Sequence, residues 1–151
     1  MQRHIRNSGK ALLLREGRLL AVRIEDPDET YYVLPGGGQE PEEPLTETVR
    51  RECAEELARD VRVGDLAFVV EIARDSHYHR VDLVFHCEDL GPLPGIMAVG
   101  DSAQTGVEWL PVDELHRLPL YPARLRRAIQ RLARGERGPV YLGNEELGDQ
   151  E

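Results

Sequence analysis

A chain of 151 residues, 40% hydrophobic and 31% charged, has the size and balance of one globular domain around one core. Its formal net charge of −9 repels phosphate backbones and argues against a nucleic-acid polymer as partner; small phosphorylated molecules stay open, because a bound cation reverses the local field. No stretch reaches the roughly 20 apolar residues of a membrane span, and the opening MQRHIRNSGK lacks the apolar run of a secretory signal, so a cytoplasmic protein with no membrane partner is expected.

In chain order, Lys10 to Arg15 (KALLLR) reads as a strand, Glu16-Gly17 as a turn, and Arg18 to Ile24 as the hairpin partner. Glu25 to Glu29 is a polar loop and Tyr31 to Leu34 a short strand; Gly36, Gly37 and Gly38 then end any regular element. Pro44 to Ala58 is a helix. Pro44 suits the first turn, where its missing N–H costs little, and Leu45, Val49, Cys53 and Leu57 form one apolar stripe. Arg62 to Ala73 and Arg80 to Glu88 are strand-like, with Asp75 to His79 turning between them. Gly91 to Gly106 is a loop, Val107 to Leu110 a strand, Val112 to Leu115 a helical turn, and Tyr121 to Arg134 a basic amphipathic helix. The tail from Gly135 holds a small apolar patch, PVYL, and an acidic end expected to be mobile from about residue 143. With no internal repeat and no linker, residues 1–151 form a single domain, an α/β sandwich around a mixed sheet.

Cys53 and Cys87 have no zinc-like spacing. A redox pair or a nucleophile is one reading; two buried small apolar residues in a reducing compartment is the favoured one.

The chemistry concentrates on the Pro44–Ala58 helix. At about 100° per residue, with Val49 at zero, Leu45, Cys53 and Leu57 fall at about −40°, +40° and +80°. Glu56 falls at about −20°, Glu52 at about −60° and Glu55 near −120°. Glu56 thus lies inside the apolar sector and Glu52 on its edge, where an unpaired carboxylate is costly. Carboxylates sharing one arc also repel. A cation removes both penalties, and hard oxygen ligands favour Mg²⁺ or Mn²⁺. The competing account, in which Arg50, Arg51 or Arg59 pairs the charges, is weakened because Arg50 and Arg59 point away from Glu56. Just upstream, three glycines allow backbone to approach a ligand, and Glu40 and Glu43 add carboxylates at the mouth of the helix.

Here the sequence resembles the Nudix hydrolase family, whose box reads G, five residues, E, seven residues, then R-E-U-x-E-E-x-G-U, with U a bulky aliphatic. Gly37, Glu43, Arg51, Glu52, Glu55 and Glu56 occupy six specified positions in register. Cys53 replaces the first aliphatic, Ala58 stands in place of glycine and Arg59 in place of the last aliphatic; these departures put the local turn in doubt more than the ligands. The later GVEWLPVDEL looks like the family's penultimate strand and turn.

The resemblance implies a Nudix-like α/β/α sandwich and a Mg²⁺- or Mn²⁺-dependent pyrophosphohydrolase. It would cleave a diphosphate linkage in a nucleoside diphosphate-linked compound or a nucleoside triphosphate. Glu55 and Glu56 would be the principal metal ligands. Glu52 would ligate metal or help activate water, and the Gly36 carbonyl would complete the shell. Arg51 would pair with Glu43 and hold the helix against the loop. Glu52 is one candidate general base. Asp101, just before GVEW, is another, against which stands a plain loop aspartate. Tyr78 is a loose match to a tyrosine that stacks on a base in some relatives. Arg23 and Arg15 could grip phosphate, with ordinary surface arginines an equal account. His77 and His79 read as exposed turn residues, Trp109 as core or groove edge, and Arg124, Arg126, Arg127 and Arg131 as a solvated face. The expected partner is a small nucleotide-like substrate; a homodimer is left open. The competing class is a catalytically silent nucleotide-sensing module of the same fold. Such modules tend to lose box carboxylates, and all three are present here. An isomerase of that fold has no local support.

Overall fold

The computed structural model describes residues 4–75, 78–95 and 104–145. Nine strands and two α-helices follow in chain order among them. They are β1 (Ile5–Leu12), β2 (Leu14–Arg15), β3 (Arg18–Glu25), β4 (Thr30–Val33), β5 (Gly36–Gly38), α1 (Leu45–Leu57), β6 (Arg59–Asp75), β7 (Tyr78–Pro92), β8 (Gln104–Pro111), α2 (Arg124–Ala133) and β9 (Tyr141–Asn144), with a 3-10 turn over Val112–Arg117.

One sheet is mixed, in the order β5-β1-β7-β6-β9, with β1 parallel to β7 and β6 parallel to β9. The other is antiparallel and centred on β3, which pairs with β2, β4 and β8. Alternation along β1 separates two cores. Ala11 and Leu13 pack with Val49 and Cys53 of α1, whereas Leu12 packs with Leu125 and Ile129 of α2. The helices therefore cover opposite sides of the sheets, and the expected α/β sandwich around a mixed sheet is the observed fold. Close seating of α1 on β1 depends on Gly9, where a Cβ would stand 2.9 Å from Val49 Cγ2 and 3.3 Å from the Leu45 carbonyl oxygen.

Several boundaries differ from expectation. β1 begins at Ile5 rather than Lys10, since β7 pairs with the polar stretch from Ile5 onward and β5 joins from Ser8. The first hairpin shrinks to Leu14–Arg15 against Arg18–Leu19, because residues up to Leu12 join the other sheet. Its turn is as expected, with Glu16 and Gly17 at φ 50° and 76°, the pattern of a two-residue hairpin loop. Gly36–Gly38 does not end regular structure; it forms β5 along β1. Asp75, Tyr78 and His79 belong to strands rather than to the turn, and His77 lies outside the described residues. Of the expected loop, Gly91 and Pro92 close β7 and β8 opens at Gln104. α2 begins only at Arg124. Its basic face is not wholly solvated: Arg126 is buried, donates from Nε to the Leu120 carbonyl at 2.8 Å and lies over the Tyr121 ring.

The mobile-tail expectation fails at its start. Gly143 and Asn144 lie in β9, and Glu145 is buried, its carboxylate accepting from the Arg124 backbone N–H at 2.9 Å. Residues 146–151 lie outside the described residues. Both cysteines are free thiols, and burial pushes both pKa values up, as expected of inert apolar-packed residues.

Ala58 closes α1 in the left-handed region at φ 52°, its N–H donating to the Ala54 carbonyl. The strain is taken at this position rather than moved along the chain. Ala58→Gly should therefore raise stability by about 1 kcal/mol, read as a higher midpoint in urea, and leave turnover within about twofold of the parent.

Candidate active site

The C-terminal half of α1 faces the β5 strand, and this contact builds the site. Glu56 is 9% exposed, and its Oε1 accepts the Gly36 N–H at 3.0 Å. Pro35 and Gln39 bond to Ala11 and Asn7, so the alternation of the ladder turns the N–H and carbonyl of Gly36 away from β1. Desolvation, with Glu52 nearby, lifts the Glu56 pKa to about 7. Glu52 packs against Gly37, where a Cβ would stand 2.6 Å from its carboxylate. Glycine at that position is a space requirement as well as a turn signal.

Glu43 and Arg51 tie the loop to the helix. Glu43 accepts from Arg51 Nε at 2.7 Å and Nη2 at 3.2 Å, from the Thr48 hydroxyl at 2.6 Å and from the Glu40 backbone N–H at 3.2 Å. The guanidinium holds the Glu43 carboxyl down at about 2. The same guanidinium reaches Glu52 Oε1 at 3.0 Å, Glu55 Oε1 at 3.4 Å and the Gly38 carbonyl at 3.1 Å. Arg50 and Arg59 are engaged elsewhere, with Glu47 and Asp60 and with Asp89.

The three box carboxylates share one side of α1 but do not yet converge. Among the described residues no three Asp, Glu, His or Cys side chains stand close enough to enclose an ion. Glu55, half exposed, is drawn off by Arg51. Turning it back is a change of rotamer in an exposed chain, which costs little. The donor set fits a hard divalent cation: two carboxylates crowd one place at the β5 edge, one of them buried, and a bound cation would relieve both repulsion and desolvation.

A cavity of about 1040 Å³ opens beside β5, lined by Arg6, Ser8, Lys10, Gly36–Gly38, Gln39, Glu40, Tyr78 and Arg80 among others. Tyr78 thus stands where a ligand could touch it. Arg23 does not line this cavity; it pairs with Glu25 at 2.7 Å and lies near Glu108. Arg15 pairs with Asp89 over the Trp109 ring. His79 bonds to Glu71 at 3.0 Å. Asp101 lies outside the described residues.

Sequence reasoning missed Lys10, Arg80 and Asp82. Asp82 is fully buried and receives Arg80 in a two-pronged pair, Nε to Oδ1 at 2.7 Å and Nη2 to Oδ2 at 3.0 Å. A signal existed: a carboxylate inside the apolar run VDLVF demands a partner on the same strand face, and Arg80, two residues before it, is one.

Comparison with known proteins agrees with this geometry. No curated protein matches the sequence. The structure resembles a MutT NUDIX hydrolase from Burkholderia pseudomallei, 28% identical, with 84% of this chain and 97% of that one covered and a TM-score of 0.67. It also resembles a MutT protein from Methanosarcina mazei Go1, 24% identical, covering 89% and 97%, TM-score 0.67. At 18% identity it shares its fold with an ADP-ribose pyrophosphatase from Streptococcus suis, covering 92% and 97%, TM-score 0.65. The sequence model of the NUDIX domain matches residues 5–132, which span β1 to β8, α1 and nearly all of α2, and so the chain belongs to the Nudix hydrolase family.

Proposed function

We propose that this Nudix pyrophosphohydrolase uses Mg²⁺ or Mn²⁺ to cleave the diphosphate linkage of a nucleoside diphosphate-linked compound or a nucleoside triphosphate. The observation that carries the reading is the buried Glu56 carboxylate beside Glu52 at the edge of β5. Glu52, Glu55 and Glu56 would hold the cation, with the Gly36 carbonyl, which points away from β1, as a further ligand. A bound cation would neutralise phosphate oxygens and lower the pKa of the attacking water. Arg51 and Glu43 keep α1 and the loop in register. Glu52, with Oε1 on Arg51 and its carboxylate in hydrogen-bond contact with Glu56, is the first candidate to take a proton from water. Asp101 is the alternative base.

The silent-sensor reading is disfavoured because all three box carboxylates are present. A small nucleotide-like substrate suits both the family and the large cavity with its charged wall. Among the described residues no helix is long and apolar enough to cross a membrane.

The test is a release screen for phosphate and monophosphate over nucleotide sugars, dinucleoside polyphosphates and nucleoside triphosphates. We expect turnover only with added Mg²⁺ or Mn²⁺, abolished by EDTA and unchanged by dithiothreitol. Full-rate turnover in EDTA would refute the metal requirement, and loss with dithiothreitol would bring Cys53 and Cys87 back into the mechanism.

A further inference from the structure

The geometry points to an anion seat formed by Arg6, Lys10 and Arg80, which holds the phosphate of the diphosphate that is not attacked. This rests on the hydrolase reading above and deepens it, by naming the residues that grip the substrate's second charge.

The three cations share one face of the mixed sheet. β1 pairs in parallel with β7, placing Arg6 opposite Arg80 and Ser8 opposite Asp82, and Lys10 follows on the same side. All three cations line the large cavity. In a chain of net charge −9, this wall gathers three cations against two acids, Glu40 in the lining and the buried Asp82 behind Arg80, while Glu52 and Glu56 stand on the far side of β5.

Arg80 is held ready. Asp82 grips two of its nitrogens from below, and its Nη1 donates to the Tyr78 hydroxyl at 3.1 Å. A guanidinium fixed in this way loses little further freedom on meeting a phosphate. The ion pair alone could be structural, but it does not account for Arg6 and Lys10. Neither side chain makes an ion pair or hydrogen bond with another described residue, although Asp82, Glu56 and Glu52 lie near Lys10. Lys10 is half-buried on the cavity wall, where an anion would give its ammonium a partner on the cavity side.

The seat adjoins the carboxylates. A Cβ at Gly36 would stand 2.8 Å from Lys10 Cδ, so the lysine stem crosses the glycine whose N–H meets Glu56. Two neighbouring phosphates of one substrate can thus be recognised by opposite chemistry on the two sides of β5: cations on one side, carboxylates with their metal on the other. A neutral substrate would leave the cations unrewarded.

Inorganic pyrophosphate in EDTA tests the seat without the metal site, by calorimetry and thermal shift. The variants are Arg6→Gln, Lys10→Met and the double variant Arg80→Gln/Asp82→Asn, which leaves no buried charge unpaired. Arg62→Gln, which removes an exposed partner of Glu88, is the control. We expect the parent to bind pyrophosphate more tightly than orthophosphate, each seat variant to bind it about tenfold or more weakly, and Arg62→Gln to match the parent. In hydrolysis the seat variants should raise KM about tenfold while kcat stays within about threefold. Pyrophosphate that fails to bind the parent, or binds Arg6→Gln and Lys10→Met as tightly as the parent, would overturn the seat. Binding without hydrolysis of any diphosphate would keep the seat and remove the hydrolase reading; hydrolysis with unchanged KM would do the reverse.

Discussion

Glu56→Gln is expected to reduce turnover at least about a hundredfold, the scale of losing one preorganised electrostatic contact, while the protein stays folded. Glutamine keeps the shape, and its carbonyl can still accept the Gly36 N–H. It removes the charge, so a hard cation meets a poorer ligand. The stability effect has a definite sign. Burial raises the Glu56 pKa from 4.5 to about 7, so the folded protein takes up a proton that the unfolded chain releases above pH 4.5. Without metal, the parent therefore loses stability as pH rises from about 4.5 to about 7, and the full penalty stands above that. The variant lacks this loss and should be more stable than the metal-free parent at pH 8 by roughly 1–3 kcal/mol. Added Mn²⁺ should raise the melting temperature of the parent and much less that of the variant. Denaturant melts at pH 5 and pH 8, with and without Mn²⁺, decide the matter. A variant that unfolds without metal at pH 8 would make Glu56 a structural partner, and the metal site would have to lie elsewhere.

Arg51→Ala is expected to lower turnover by roughly 10- to 100-fold, the usual cost of removing a group that orients metal ligands. It should also lower the melting temperature at neutral pH. One guanidinium bridges Glu43, Glu52, Glu55 and the Gly38 carbonyl, so its loss frees the loop from α1 and leaves crowded carboxylates without a cation. Lysine should not restore activity, since a single ammonium cannot reproduce the fork. Arg51 holds the Glu43 pKa at about 2, below its ordinary 4.5. The stability this pair gives is present above pH 4.5 and is lost as pH falls from there to about 2. The variant should show a shallower acid transition over that window. An acid titration identical to the parent's would mean that the pair contributes nothing to stability.

The carboxylate side of the candidate site was legible because it is local. Glu52, Glu55 and Glu56 sit on one helix, and helical angles alone place Glu56 among apolar neighbours, where the structure finds it buried. The same holds for the Glu16-Gly17 turn, which Gly17 marks, although Glu16 takes a positive φ that its residue type does not favour. Ala58 shows the limit of such reasoning: its identity marks a departure from the family box, but only the backbone shows that it accepts the left-handed strain itself.

What the chain alone determined, then, is the α/β class, the carboxylate-bearing helix with its register, and the family. Each depends on periodicity or spacing over a few turns, where backbone geometry relates residues without knowledge of the fold. Tertiary structure decided the rest. The parallel pairing of β1 with β7 sets Arg6, Ser8 and Lys10 beside Arg80 and Asp82, residues from opposite halves of the chain. The pairing of β5 with β1 turns a glycine triplet into a strand, and β9 returns to β6 and carries the chain in regular structure to Asn144, past the expected start of the tail. Strand partners are chosen by what else is available to bury a face and complete hydrogen bonds, a property of the whole molecule that no local pattern contains.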